Sequence, residues 1–448
     1  MKRIALLLTL LLPLAGAAQE LSLQDCLDAA GHGNVTVRKS SLDALAAKAM
    51  QSEARWEYAP KLSVTAIAYD ALNPILKITL RDVLGNSDAA SALNESLTAS
   101  AYENGIKPYY ETLSHGYSAT ATILQPLYAG GRIANGNRLA DLGVEAASLK
   151  EHLAERSVRD SVENKYWRIV ALQEKRNTLD LAISTFESLE KDLGSAVSAG
   201  LVSESDRTLL HLKKSELLSG RHRLDGSIKL LKTELLDFIG YDYDFSTIGN
   251  ITLSERLDSL PSPEAILADY TVIESTDEAR LLQIQIDARK GEKKMALGEL
   301  LPQVAVGASY GYNAMMLPKS GSFNGLVFAM VQIPITDLGK ATARSRRYGY
   351  SVRQAEFDRD YILTQLRLRE AMCRLEVETL WKEISTAEEA VAYADEALRK
   401  SEVRLRAGQA TASEVLQASL SATSARETLL QKKVAYRSAV CAYLSAKE

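Results

Sequence analysis

Residues that interrupt regular structure are scarce in this sequence. Ten prolines and 25 glycines are spread over 448 residues, so few positions force a helix or strand to end. Aromatics make up 6%, too few for a compact aromatic core and suited to Ala/Leu-rich helices packed along their length. Cys26, Cys373 and Cys441 are an odd number without CxxC spacing. That excludes a disulfide framework or a zinc site and leaves buried thiols. The net charge of −4 gives no basic face for nucleic acid. Past residue 18 no run of about 18 apolar residues occurs, so no membrane helix follows. The five histidines (His32, His115, His152, His211, His222) have no metal spacing. Without a phosphate loop, a nucleophile elbow or HExxH, no catalytic centre, metal site or cofactor is expected.

The first residues form a secretory signal. Lys2 and Arg3 start it, Ile4 to Leu14 are its apolar core, and Ala15-Gly16-Ala17-Ala18 is a small-residue cleavage site. Cleavage after Ala17 or after Ala18 fits equally. An exported chain without an apolar helix is either soluble or a membrane β-barrel, the one architecture that spans a bilayer without such a helix.

The remainder repeats itself. Pro126 and Pro334 each follow an alternating run and precede a long helical stretch, and they lie 208 positions apart. Gly200 and Gly408 interrupt two long helical patterns at the same offset. Ser203 with Asp206, and Thr411 with Glu414, then supply S/T-x-x-D/E helix starts, in which the hydroxyl caps the first turn and the acid favours the positive helix end. Each site reads as a tight turn between antiparallel helices. The preceding helices, from about Ala134 to Ser198 and about Ala341 to Arg406, are each roughly 100 Å long at 1.5 Å per residue. Leu172, Leu179, Ala182, Phe186, Leu189, Leu193 and Ala196 form the apolar stripe of the first, with Lys175 as an exception. In the second, Ser401 fills one place of a stripe from Ile384 to Leu405. Leu210, Leu217, Leu224, Leu231 and Phe238 fall every seven residues, which is coiled-coil spacing.

Strands precede each long helix: Leu62 to Tyr69 with Tyr117 to Ile123, and Val304 to Tyr312 with Leu326 to Ile333. Each is long enough to cross a bilayer when tilted, and Tyr310 and Tyr312 stand where an aromatic girdle belongs. Four strands cannot close a barrel, and an open edge cannot face lipid. Three chains would supply twelve strands around a threefold axis. The expected organisation is a signal peptide (1–18) and a first repeat (19–240). A linker (241–262) joins it to a second repeat (263–448). The first hairpin is longer than the second: Pro60 to Pro126 spans 66 positions, Pro302 to Pro334 only 32. The excess, at about residues 71–114, has the turn residues of a loop-rich excursion.

Over essentially the whole mature length the sequence resembles the TolC family of outer-membrane efflux ducts. The resemblance rests on Leu21 to Ala30 ahead of Asn34, on Ala54 to Pro60 and Leu300 to Gln303, and on Gln125 to Gly131 and Ile333 to Lys340. It implies an α+β membrane protein in the outer membrane of a Gram-negative bacterium. It further implies a homotrimer with a twelve-stranded β-barrel in outer-membrane lipid and a periplasmic α-barrel of helical hairpins. The implied function is passive export of small molecules or proteins in a tripartite efflux or type I secretion system. The implied partners are a periplasmic adaptor and, through it, an inner-membrane pump of RND, ABC or MFS type. The adaptor-contact tips fall on Ala199, Gly200, Leu201, Ala407, Gly408 and Gln409. Glu414 matches the first acid of the family's pore-entrance ring, and Gln417 stands uncharged at the second. Asp206 matches a gate-locking aspartate whose usual partners fall on Leu405 and Ala410, so that lock is absent. In the bland alternative Asp206 and Glu414 serve as helix caps only. The rival reading, from another class, is a periplasmic coiled-coil adaptor or scaffold.

Overall fold

The computed structural model describes residues 19–447 apart from 113–114, 199–203, 269–271, 315–320, 336–337 and 408. The signal segment, the first helix turn and Gly408 therefore lie outside the described residues.

Ser22 opens helix α1 (Leu23–Gly33) with a reciprocal capping box. Its Oγ accepts the Asp25 N–H at 3.1 Å, and the Asp25 carboxylate accepts the Ser22 N–H at 3.0 Å. Asn34 ends α1 and starts α2 (Val35–Trp56), its side chain accepting from the Thr36 N–H and donating to the Phe238 carbonyl. Strand β1 (Gln19–Leu21) precedes them and pairs in parallel with β6 (Ile251–Leu253).

Four further strands form one antiparallel sheet. They are β2 (Lys61–Asp70), β5 (His115–Ala129), β7 (Gln303–Asn313) and β8 (Ser322–Gln332), in that order. Val64 lies opposite Ala121, Thr122 opposite Ser309, and Tyr312 opposite Phe323. Pro126, which has no N–H for the ladder, sits at a bulge in β5. At the far strand ends Tyr312 stacks on Tyr117 at 5.8 Å, and Phe323 packs on Tyr310 and Tyr312. Tyr310 and Tyr312 are the aromatics expected at a strand end, and Tyr117 and Phe323 join them.

The excursion between β2 and β5 is more ordered than its turn residues suggest. It holds β3 (Leu76–Thr79), α3 (Leu80–Leu84), α4 (Asp88–Glu103) and β4 (Tyr109–Thr112), with β3 paired to β4. Thr79 and Ser87 are the reason, because each sits in extended backbone just before a helix and caps it. The loop-rich expectation rests on Asn73-Pro74, Gly85-Asn86-Ser87, Asn104-Gly105 and Lys107-Pro108 as turn signals alone.

The long helices are α5 (Arg132–Ser198) and α6 (Glu204–Ile239) in the first copy, and α9 (Leu338–Arg406) and α10 (Ala412–Lys447) in the second. α5 and α9 end 208 residues apart, and α6 and α10 both start and end 208 apart. Before the sheet the offset is larger: α2 and α8 (Asp277–Gly298), 22 residues each, start and end 242 apart. The 34-residue change in offset equals the excess length of the first hairpin. A short helix, α7 (Pro263–Leu267), lies in the connecting segment.

The chain forms two compact units, and each draws on both copies. One comprises residues 48–143 and 286–354, with the sheet and the excursion. The other comprises the described residues of 19–47, 144–285 and 355–447, with both helix hairpins beyond their first turns. In the sheet unit, Gly130 (φ +64°) passes so close to Gly298 that a Cβ on it would lie 2.0 Å from the Gly298 carbonyl oxygen. In the hairpin unit, Gly240 (φ +69°) ends α6, with the Tyr241 N–H reaching the Leu236 carbonyl at 2.9 Å. A Cβ on Gly240 would lie 2.6 Å from the Gly33 carbonyl oxygen.

The hairpin unit has three apolar clusters. The largest gathers Tyr166, Ile169, Leu235 and Ile239 with Cys26 and Leu257. The Tyr166 hydroxyl donates to the Leu21 carbonyl at 3.0 Å, tying α5 to β1. Burial pushes the Cys26 thiol up to about 12. Cys26 and Cys441 are buried and Cys373 half-buried.

Candidate functional site: the helix turns

The second turn is built by its own capping chemistry. The Thr411 Oγ accepts the Glu414 N–H at 3.3 Å and so closes the first turn of α10. On the other side, the Gln409 N–H returns to the Arg404 carbonyl at 2.8 Å, the six-to-one bond that terminates a helix around a Gly position. The Arg404 guanidinium also donates to the Gln409 carbonyl at 3.0 Å. Arg404 was not among the expected site residues, although a basic residue in a helix's last turn is a readable signal.

Behind the turn lies a closed apolar cluster of Phe186, Leu189, Leu210, Ala412, Val415 and Leu416, with Leu398 and Leu405 packed against it. It joins α5, α6, α9 and α10, so the helices flanking both turns share one core. Leu405, at the place of a gate-lock partner, is thus packed as a core side chain. Ala407, Gln409, Thr411, Glu414 and Gln417 are exposed. Ala412, Val415 and Leu416 turn inward, so Glu414 and Gln417 share the outward face of α10. Of the remaining expected residues, Ala199, Gly200, Leu201, Ser203 and Gly408 lie outside the described residues. Asp206 lies in the first turns of α6.

Ion pairs stitch each hairpin. In the first, Lys214 reaches Glu190 at 3.1 Å and Glu187 at 3.4 Å. Hydrogen bonding to Lys214 lowers the Glu190 pKa, and the same bond raises that of Lys214. In the second, Arg426 pairs with Asp395 and Lys432 with Glu383, each at 2.8 Å. Lys175, the exception in the apolar stripe of α5, pairs with Glu427 of α10 at 3.1 Å, where it links the two hairpins. Ser401 turns its hydroxyl back onto the Leu398 carbonyl at 2.7 Å, so it satisfies itself within the stripe of α9.

Residues 279–442 match the model of the outer membrane efflux protein family. No curated protein matches the chain. Among solved structures, the outer membrane protein VceC of Vibrio cholerae has a TM-score of 0.74 at 17% identity, over 95% of both chains. The outer membrane channel CmeC of Campylobacter jejuni gives 0.73 at 14% identity, over 95% of this chain and 85% of that one. The open-state MtrE channel of Neisseria gonorrhoeae gives 0.72 at 16% identity, over 95% and 88%. At these identities the likeness is one of fold, and it extends over both copies of the repeat. The family match thus covers residues 279–442 of the second copy, and along nearly its whole length the chain shares the fold of these outer membrane channels.

Proposed function

We propose that this protein is the outer-membrane channel of a tripartite efflux system, through which solutes leave passively. The observation that carries this reading is the sheet with two free edges. Among the described residues, β2 and β8 each have a partner on one side only, and apolar residues along them, Leu62, Val64, Val327 and Val331, stand exposed. Strands of 10 and 11 residues match the span of a tilted membrane strand. Within the sheet, direction alternates at every step, so β8 of one copy meets β2 of the next antiparallel. Channels of this family form trimers, and three such sheets close twelve strands without an edge.

The exposed residues Ala407 and Gln409, with Gly408 between them and Ala199, Gly200 and Leu201 of the first copy, are the proposed adaptor surface. Small side chains there let a partner's helices approach closely. Three copies of Glu414 near the axis would form an acidic ring that favours cations. Energy enters at the inner-membrane pump, so no cofactor is assigned. The pump type and the cargo follow from the adaptor, which crosslinking from residues beside Gly408 would identify.

Two measurements test this reading. Detergent extraction should give a trimer from the outer-membrane fraction, whereas a soluble periplasmic monomer favours the coiled-coil adaptor or scaffold reading and sinks the duct. Glu414→Gln should lower cation selectivity in single-channel recordings. Unchanged selectivity leaves Glu414 as a helix cap only.

A further inference from the structure

α5 and α10 run side by side and antiparallel. Lys175 meets Glu427 at one level, and Asp160 meets Cys441 about four turns away along both helices. At that second level the chemistry is unusual. The Cys441 thiol, 6% exposed, donates to Asp160 Oδ1 at 3.3 Å. Glu163, one turn further along α5 and so on the same face as Asp160, is half-buried, and the same thiol is among the groups acting on its carboxylate. A thiol carries one hydrogen, so it can serve one of two carboxylates. The second carboxylate is left beside a like charge in a half-buried place, unless it carries a proton of its own.

We propose that Asp160, Glu163 and Cys441 form an acid-responsive joint that tightens the seam between the first and second helical hairpins as the surrounding medium is acidified.

The groups facing Glu163 are few and can all be named. Asp160 and Arg159 come from α5, and Cys441 and Arg437 from α10. Glu255, in the segment after β6, faces Arg437 from the far side. The Arg437 guanidinium stacks over Trp167 at 4.4 Å and donates to the Ser259 carbonyl, and its charge, like that of Arg159, favours the ionised form of Glu163 and works against the two raising effects. Burial, and then the Asp160 charge, raise the Glu163 pKa. A carboxyl raised by folding binds its proton more tightly in the folded state. Its favourable contribution is therefore fully present below the ordinary carboxylate pKa and is lost as the pH rises through the folded value. Acid strengthens the seam and neutral pH loosens it. The joint belongs to one side of the duplication: at the corresponding places of the other copy stand Leu368 and Ala371 on α9 and Thr233 on α6, so no carboxylate pair is present there.

The test uses the purified full-length protein in detergent. Thermal midpoints are measured from about pH 4.5 to 7.5 for the wild type, Glu163→Gln and Asp160→Asn. Glu163→Gln mimics the protonated acid. It should raise the midpoint at pH 7.5 and flatten the pH dependence relative to the wild type. Asp160→Asn removes the like charge, so the wild-type inflection should move toward the ordinary carboxylate range. A Glu163→Gln curve parallel to the wild type, or lying below it at every pH, overturns the proposal. If Glu163→Gln does not fold, an unmoved inflection in Asp160→Asn overturns it instead. The thermal readout does not depend on channel function, so failure here leaves the duct assignment standing.

Discussion

Phe186 anchors the core behind the helix turns, and its truncation is the sharpest test of how those turns are held. The side chain is fully buried, in a cluster whose buried members are distinct from those of the larger core around Tyr166, with half-buried Leu217 packed against both. Phe186→Ala removes roughly 100 Å² of buried apolar area, worth about 2.5 kcal/mol at about 25 cal/mol per Å². A residual void on the order of 80 Å³ adds about 2 kcal/mol. The sum falls in the usual range of about 3–5 kcal/mol for Phe→Ala in a core. Because the cluster is local, the loss should appear as local opening. Hydrogen exchange of the flanking segments, residues 183–189, 209–216 and 412–420, should accelerate about a hundredfold or more, at about 1.4 kcal/mol per tenfold. Protection around Leu235 to Ile239 should be retained. Phe186→Leu, which keeps most of the volume, should cost under about 1.5 kcal/mol. Equal loss of protection in both regions would show that the hairpins unfold as one body and would refute the local cluster. Unchanged protection at the turns would refute the packing itself.

Three further outcomes follow from specific contacts. Thr411→Ala removes the hydroxyl that accepts the Glu414 N–H and should cost about 1 kcal/mol, read as faster exchange confined to the first turn of α10, with Thr411→Ser restoring it. Gly240→Ala places a Cβ 2.6 Å from the Gly33 carbonyl oxygen at a positive φ. Strain at such a position costs about 1–3 kcal/mol, so the thermal midpoint should fall, whereas Gly220→Ala, with open space around it, should leave it level or raised. Tyr166→Phe deletes the bond to the Leu21 carbonyl and should free β1 first, seen as proteolytic trimming of the N-terminus at a protease level the wild type resists.

Much of the architecture was legible in the sequence because it is carried by local, periodic signals. The ends of α5 and α9 fall on the expected Ser198 and Arg406, since a Gly followed by a hydroxyl-x-x-acid start leaves a helix no other place to break. All four long strands appear; each runs one to six residues beyond its expected ends except at the end of β8, which stops at Gln332, one residue short of Ile333, because ladder pairing and not alternation alone sets where a strand ends. What was not legible depends on residues far apart in the chain. Lys175 looked like a flaw in an apolar stripe until Glu427, 252 positions away, appeared opposite it. Arg156 is buried against Glu278, and neither position differs in sequence from the solvated charges around it. Hydrophobic periodicity shows which face of a helix is inward, but not which partner waits there.

The duplication explains why the two helix turns differ in chemistry while the helices that follow them keep one length. α6 and α10 are both 36 residues long, because a helix in a packed hairpin must keep register with its partner over its whole run. A one-residue change would rotate every later side chain by about 100° and turn the apolar stripe away from its partner. Exposed positions carry no such constraint. On the outward face of α10, Glu414 and Gln417 correspond to Asp206 and Leu209 of α6, and Leu209 packs against the turn cluster. The acid is kept in both copies, and the position three residues on is polar in one and apolar in the other. That is the pattern expected if the first position serves the helix start itself and the second serves whatever each face meets. Glu414 therefore has a structural reason to be present that does not depend on the channel. The selectivity measurement on Glu414→Gln decides whether the ring adds to it.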